Sequence, residues 1–125
     1  MRRSSNLRTG TVAPVTASSL ALAAQFNGDT VTVFVSGEVD VSNVDALDDL
    51  VRHVLDAGSA VLCVDMTDVR FCESVTFHVL INAAAYARAC GSRLVTAGLQ
   101  AYVMRVVDIL DLRTPLGVQA SQLAA

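Results

Sequence analysis

Ser74 stands where a predicted helix begins and directly follows Glu73. Free main-chain N–H groups and the helix dipole at such a position can hold a phosphate group. A serine at a helix start is also an ordinary N-cap, whose hydroxyl accepts a hydrogen bond from the first turn. The residues alone leave both interpretations open.

Four acidic residues follow predicted strands and are the next candidates. Asp40 either contacts a partner or is a solvated loop residue that stabilises the following helix, and Glu38 is interpreted as an exposed or strand-end charge. Asp65 and Asp68 lie in one loop, but two acids without a histidine or a third ligand do not make a metal site. The sequence therefore predicts no metal and no cofactor.

The thiols and imidazoles give no catalytic pattern. Cys72 lies two residues before a predicted helix, where a lowered pKa would make a reactive thiol; the alternative is a half-buried small hydrophobic residue. With Cys63 and Cys90 it forms an odd, scattered set without CxxC, which suits a reducing compartment and gives no zinc signature. His53 and His78 have no nucleophile or acid at a diagnostic spacing. No catalytic residue is predicted.

Apolar periodicity predicts the elements that position these residues. Alternation over 20–26 and 31–35, separated by Asn27-Gly28-Asp29, indicates an antiparallel hairpin. A helix capped by Ser42 or Asn43 follows, and its apolar stripe has helical spacing. That stripe comprises Val44, Leu47, Leu50, Val51, Val54 and Leu55.

The second half of the chain alternates strands and helices. The predicted elements are a buried strand over 60–64, a loop over 66–73, a helix over 74–90, a strand over 93–97, a helix over 102–110 and a short last strand over 116–118. The strands over 60–64 and 93–97 should be parallel and joined by the second helix. The prediction is an α/β domain with a mixed sheet, whose sites gather at the carboxyl ends of the strands, in 37–43 and 65–76.

Composition bounds the classes of function. The 125 residues are 53% hydrophobic and 17% charged, which permits one packed domain and excludes wholesale disorder. Arg2, Arg3 and Arg8 give residues 1–19 a charge of +3. Because the whole chain has a net charge of −3, residues 20–125 must carry a charge of −6. An acidic body with 5% aromatic residues argues against nucleic-acid binding.

The composition of individual segments predicts the domain organisation and the compartment. We expect a flexible basic tail over 1–18, a domain over 19–119 and a frayed end over 120–125. No apolar run approaches the roughly 18 residues that a membrane helix needs. Polar residues and Pro14 interrupt the Ala-rich start that would otherwise suggest a signal peptide, so a cytoplasmic protein without membrane contact is expected.

Four segments in order resemble the STAS family, and more narrowly the bacterial anti-sigma factor antagonists. Residues 61–80 resemble the family's apolar strand ending in Asp and followed by Asp-Ser-(Ser/Thr)-Gly at a helix start. Gly37-Glu38-Val39-Asp40 is similar to its Gly-Glu-Leu-Asp, residues 90–98 to its Gly-Gly-x-Leu-x-Leu-x-Gly strand, and 103–112 to its last helix. Together they span about residues 20–118.

The resemblance implies a STAS-like single domain with a mixed sheet of four to five strands and helices packed mainly on one face. It also implies a regulator that binds an anti-sigma factor serine kinase, releases a sigma factor, and is switched off when the kinase phosphorylates Ser74. Asp40 falls at the family's loop acid and Asp65 at its strand-end acid. The partner-binding set implied by position is Glu38, Asp40, Ser42, Glu73, Ser74, Thr76 and Phe77.

The sequence departs from the family pattern around the serine. Glu73 replaces Asp, Val75 replaces Ser or Thr, and Thr76 replaces Gly. We expect these replacements to affect recognition by a kinase more than they affect the fold. Thr76 is either a second phosphate acceptor or an ordinary first-turn threonine. Two other hypotheses therefore stand beside the switch: a STAS binding module that is not switched, and a small thiol enzyme built on Cys72. Self-association is left open.

Overall fold

In the described part of the chain, three strands come first, strands and helices then alternate, and two helices come last, which gives five strands and four helices. The computed structural model describes residues 8–118 of the chain. In chain order the elements are β1 (Arg8–Ala17), β2 (Leu20–Gly28), β3 (Thr30–Val39), α1 (Val44–Asp56), β4 (Val61–Cys72), α2 (Val75–Ala89), β5 (Arg93–Ala97), α3 (Ala101–Ile109) and α4 (Arg113–Leu116).

The strands form a single mixed sheet in the order β1-β2-β3-β4-β5. The first three strands pair antiparallel, whereas β3 with β4 and β4 with β5 pair parallel. The predicted hairpin is confirmed, with Asn27 paired to Thr30 and Gly28 at φ +65 in the turn. The predicted parallel pair joined by α2 is confirmed as well. Parallel pairing brings the carboxyl ends of β3 and β4 to the same edge of the sheet.

The hydrophobic core lies between one face of the sheet and the helices. Alternate side chains of β2 and β3 are buried, and α1 buries the six apolar residues that its spacing predicted. Fully burying one leucine such as Leu47 or Leu62 stabilises the fold by about 2 kcal/mol. On the other face Phe34 is exposed and Ala23 is half-buried, so the helices cover mainly one face, as expected.

The prediction of a flexible tail over 1–18 is wrong for residues 8–17, which form β1. This strand pairs with β2 from Arg8 opposite Gly28 to Ala17 opposite Leu20. The register shifts between Val12 and Val15, around Pro14, which cannot donate a ladder hydrogen bond and is tolerated at an edge-strand irregularity. That irregularity removes the strict alternation by which a strand is read from sequence. Residues 1–7 lie outside the described part of the chain.

The loop predicted over 66–73 is also wrong, because β4 continues to Cys72. Its second half pairs with β3 from Ser36 opposite Asp68 to Val39 opposite Cys72, and two register shifts accommodate extra residues. These shifts place Thr67 and Asp68 side by side at the surface and hide the period-2 pattern.

The short strand predicted over 116–118 is replaced by α4 and a single parallel bridge between Thr96 and Val118. Leu116 ends α4, and Gly117 at φ +64 turns the chain back toward β5. The frayed end predicted over 120–125 lies outside the described residues.

Candidate functional site

Two loops meet where β3 and β4 end, and Glu73 holds them together. Its main-chain N–H donates to the carbonyl of Val39 at 2.9 Å, and its Oε1 accepts a hydrogen bond from the N–H of Val41 at 3.1 Å. The glutamate that departs from the family pattern therefore ties the loop before α1 to the start of α2. It is not available as a helix cap for α2.

The loop before α1 is ordered by its own polar side chains. Asp40 Oδ1 accepts hydrogen bonds from the N–H and the hydroxyl of Ser42, at 2.9 and 2.5 Å. Asn43 is buried; its Oδ1 accepts from the N–H of Asp40 at 2.9 Å, and its amide donates to the carbonyl of Glu38 at 3.0 Å. Such side-chain to main-chain bonds fix a turn without regular secondary structure. The carboxylate of Asp40 thus has a structural partner and still reaches the surface.

Asn43 is the N-cap residue of α1, but its role differs from the predicted one. Its side chain makes no capping hydrogen bond with the first turn and instead points back into the loop. The sequence predicted only that Asn43 stands at the start of a helix. It did not predict whether the side chain bonds to the helix or to the loop before it.

Ser74 is exposed at the N-terminus of α2, as predicted. Its main chain is already helical, with φ −59 and ψ −24, and its hydroxyl makes no capping hydrogen bond. Its carbonyl accepts from the N–H groups of Phe77 and His78. Among the described residues, the N–H groups of Ser74 and Val75 form no hydrogen bond. The hydroxyl is therefore accessible, and two free donors and the positive end of the helix dipole lie beside it.

Of the acids in the predicted site segments 37–43 and 65–76, Asp65 lies apart from Ser74. Glu38 is half-exposed and lies 3.8 Å from the guanidinium of Arg70, a surface ion pair of small energetic weight. Asp65 does not belong to the site, because β4 continues for seven residues beyond it, about 20 Å of strand. Its Oδ1 accepts hydrogen bonds from Thr67 instead. The expectation that Asp65 neighbours the serine is wrong.

Thr76 and Phe77 do not reach the surface. The side chain of Thr76 is 0% exposed and that of Phe77 is 6% exposed, and both face the core from the first turn of α2. We therefore withdraw both from the predicted partner-binding set, and Thr76 as a second phosphate acceptor. The hydroxyl of Thr76 makes no regular hydrogen bond; only a weaker contact with the Cys72 thiol is present.

Cys72 has the environment of a structural thiol. It is half-buried, and burial raises its pKa, a larger effect than the opposing contact with Thr76. Burial, with the charge of Asp65 adding to it, raises the pKa of Cys63 in the same direction. A nucleophilic cysteine needs a lowered pKa, so this geometry gives no support to the thiol-enzyme hypothesis.

Two exposed apolar side chains that sequence reasoning missed flank the site. Val41, between Asp40 and Ser42, is 74% exposed, and Phe71, at the end of β4, is 48% exposed. Aromatic and aliphatic residues surrounded by polar groups are typical of the centre of a protein-binding surface. The sequence could have indicated that Val41 is exposed, because it stands between the polar residues Asp40 and Ser42. It could not do so for Phe71, whose alternation with polar residues is also typical of a core residue.

Within residues 8–118 no cluster of three or more His, Cys, Asp or Glu side chains is arranged to hold a metal ion. No helix in the same range is long and apolar enough to cross a membrane.

Comparison with known proteins identifies the fold. The model of the family described as "Mlab, STAS domain" matches residues 22–119. The crystal structure of an anti-sigma factor antagonist from Mycobacterium paratuberculosis superposes with a TM-score of 0.69 at 19% identity, over 82% of this chain and 86% of that chain. No curated protein matches the sequence.

Two further structures mark the range of proteins that carry this fold. The unphosphorylated anti-sigma factor antagonist SpoIIAA gives a TM-score of 0.67 at 14% identity, over 82% of this chain and 91% of that chain. The murine anion transporter Slc26a9 gives 0.63 at 10% identity, over 91% of this chain and 21% of that chain. The fold thus occurs both in small regulators and as a part of transporters. On the family match over residues 22–119, the chain belongs to the STAS domain family.

Proposed function

We propose that this protein is an anti-sigma factor antagonist: it binds an anti-sigma factor serine kinase when unphosphorylated, releases a sigma factor, and is switched off by phosphorylation of Ser74. The observation that carries the proposal is the exposed Ser74 hydroxyl at the start of α2, beside the loop that Glu73 ties to it. The structural likeness to anti-sigma factor antagonists supports the class.

The chemistry of the switch needs no catalytic residue from this chain. The kinase transfers the γ-phosphoryl group of ATP to the Ser74 oxygen, the hydroxyl proton leaves, and ADP is the other product. The free N–H groups of Ser74 and Val75 can then donate to the new phosphate oxygens, so phosphorylation need not disturb the fold. The protein acts as a substrate and ligand, not as an enzyme, in the cytoplasm where sigma factors work.

The physical effect of phosphorylation is electrostatic. A phosphoserine adds about −1.5 to −2 charges at pH 7. Glu73 and the loop acid Asp40 already make this edge of the sheet acidic, and Arg70 is paired with Glu38. A partner that buries this surface must then desolvate several negative charges together, which costs far more than burying the neutral hydroxyl.

The proposed partner-binding surface consists of exposed and half-exposed residues at the ends of β3 and β4 and in the two loops that follow them. It keeps Glu38, Asp40, Ser42, Glu73 and Ser74 from the predicted set. We add Val41 and Phe71 as the apolar centre of this surface, because interface energy is concentrated in few desolvated side chains.

The test uses the protein with its cognate kinase, ATP and mass spectrometry. We expect one phosphate on Ser74, none in Ser74→Ala, and a complex with ADP-bound kinase that Ser74→Ala retains and Ser74→Asp weakens by about tenfold or more. Thr30→Ala is the matched control: Thr30 is an exposed hydroxyl residue at the opposite end of β3. An unmodified Ser74, together with no complex under ADP, would refute the proposal.

A STAS binding module that is not switched is the second candidate. The observation that favours it is the Glu73 carboxylate, which is bound to the N–H of Val41 instead of standing free beside the serine. This candidate predicts that Ser74→Ala and Ser74→Asp bind the same protein partner with equal affinity.

A further inference from the structure

A cavity of about 560 Å³ lies at the opposite end of α2 from Ser74. It is bounded by the last turns of α2, by β5 and by the end of α4. The polar lining comes from Arg88, Ser92, Arg93 and Thr114, and apolar walls come from residues such as Leu94 and Val118. Fourteen residues of helix separate Ser74 from Arg88, about 20 Å along the axis, so this cavity is independent of the phosphorylation site.

The two arginines of the cavity have no acidic partner in the described part of the chain. Within residues 8–118, neither Arg88 nor Arg93 forms a salt bridge, and no Asp or Glu lines the cavity. Three other arginines, Arg52, Arg70 and Arg113, do form salt bridges. In a chain with three more acids than bases, two exposed arginines that line one cavity form a local positive site.

The arginines are not needed to complete the helix end. The last-turn carbonyls of α2 already accept hydrogen bonds from the N–H groups of Cys90, Gly91 and Ser92, at 3.1, 3.1 and 2.8 Å. The guanidinium donors of Arg88 therefore remain free for another acceptor. The hydroxyl of Thr114, on the facing wall, forms no hydrogen bond among the described residues and can donate as well.

The walls of the cavity are held in place by buried contacts. The Thr96 hydroxyl donates to the carbonyl of Leu116 at 2.7 Å, and its main-chain N–H donates to the carbonyl of Gly117 at 2.9 Å. Gly117 approaches β5 so closely that a Cβ there would lie 2.5 Å from the carbonyl oxygen of Leu94. These contacts fix the main chain of this wall before a ligand binds, which lowers the entropic cost of binding.

We propose that this cavity binds a small amphipathic oxyanion, a phosphate monoester with an apolar remainder. Arg88 and Arg93 would hold the phosphate oxygens through charge-assisted hydrogen bonds, with Thr114 as a further donor. The apolar remainder would lie against Leu94 and Val118. The volume is within the range of sites for small organic ligands.

Calorimetric titration of the whole protein with phenyl phosphate tests this site. We expect saturable 1:1 binding that Arg88→Gln and Arg93→Gln each weaken by about tenfold and that the double variant abolishes. Arg105→Gln is the matched control, because Arg105 is exposed on α3, forms no salt bridge within residues 8–118 and does not line the cavity. Inorganic phosphate should bind more weakly than phenyl phosphate, since it leaves the apolar wall unfilled.

Three outcomes would overturn the proposal: no saturable binding up to about 10 mM, binding that the double variant retains, or an equal loss in Arg105→Gln. Thermal unfolding of each variant accompanies the titrations. If Arg93→Gln does not fold, Arg88→Gln and Thr114→Val carry the test, and phenyl phosphate affinity unchanged in both also refutes the site.

Discussion

The two ends of α2 present opposite chemistry on one rigid element. At its N-terminus an exposed hydroxyl lies beside acids that hydrogen bonds hold in place, with Glu73 and Asp40 as the main anchors. At its C-terminus two arginines that form no salt bridge within residues 8–118 line a partly apolar cavity. The first end is suited to gaining an anion covalently, the second to binding one reversibly. The helix dipole favours a negative group at the first end and the positively charged arginine side chains at the second.

The largest expected effect is at the arginine end. Gly117→Ala puts a Cβ within 2.5 Å of the Leu94 carbonyl at φ +64, so we expect a loss of about 3 kcal/mol in the free energy of unfolding. Gly91→Ala is the matched control: its φ is +77, but nothing lies within 4 Å of the added Cβ, so only about 1 kcal/mol should be lost. Urea denaturation measures both. Equal losses would show that the approach of α4 to β5 is not tight.

The serine end should respond more weakly to loss of its loop contact. Glu73→Ala removes the acceptor for the N–H of Val41, and we expect about 1 kcal/mol less stability and faster amide exchange at Val41. Glu73→Gln keeps an acceptor oxygen and should retain most of the protection. Hydrogen exchange followed by NMR distinguishes them. Unchanged exchange in Glu73→Ala would mean that the two loops are held together without this side chain.

Replacing the buried hydroxyl near the serine should stabilise the protein slightly. Thr76→Val substitutes a methyl group for a hydroxyl that is 0% exposed and lacks a regular hydrogen bond, so we expect a gain of up to about 1 kcal/mol. The proposed phosphorylation of Ser74 should continue in this variant. Destabilisation in urea would show that the contact between Thr76 and Cys72 is a real hydrogen bond.

The smallest effect concerns Cys72, whose thiol should label slowly at neutral pH. Because its pKa is raised, mainly by burial, the thiolate becomes the dominant form only above the ordinary value of 9.0, and the alkylation rate should keep rising beyond that pH. Exposed Cys90 provides the internal comparison and should react first on the basis of access. Rapid, selective labelling of Cys72 at pH 7 would revive the thiol-enzyme hypothesis.

Much of the fold could be predicted, because several segments carry complete local signals. The β2–β3 turn has Asn27-Gly28, α1 has an uninterrupted apolar stripe, and the end of α2 has Gly91. The missed parts, β1 and the second half of β4, are strands with register shifts. A register shift interrupts the alternation of buried and exposed residues by which a strand is recognised in a sequence. These two segments are therefore identified as strands by the strands they pair with and not by their own residues.

Some features of the candidate site could likewise be predicted from the sequence, and others could not. The sequence alone predicts that Ser74 stands at a helix start and that six residues of α1 are buried, because helix starts and apolar stripes are local patterns. The acidity of the chain follows from its composition. Which groups meet does not follow from the order of residues. The extension of β4 moved Asp65 away from the serine, and the first turn of α2 buried Thr76. The return of the chain at Gly117 brought Thr114 into the same cavity lining as Arg88. These neighbours come from pairing and packing between distant segments, which only the tertiary structure determines.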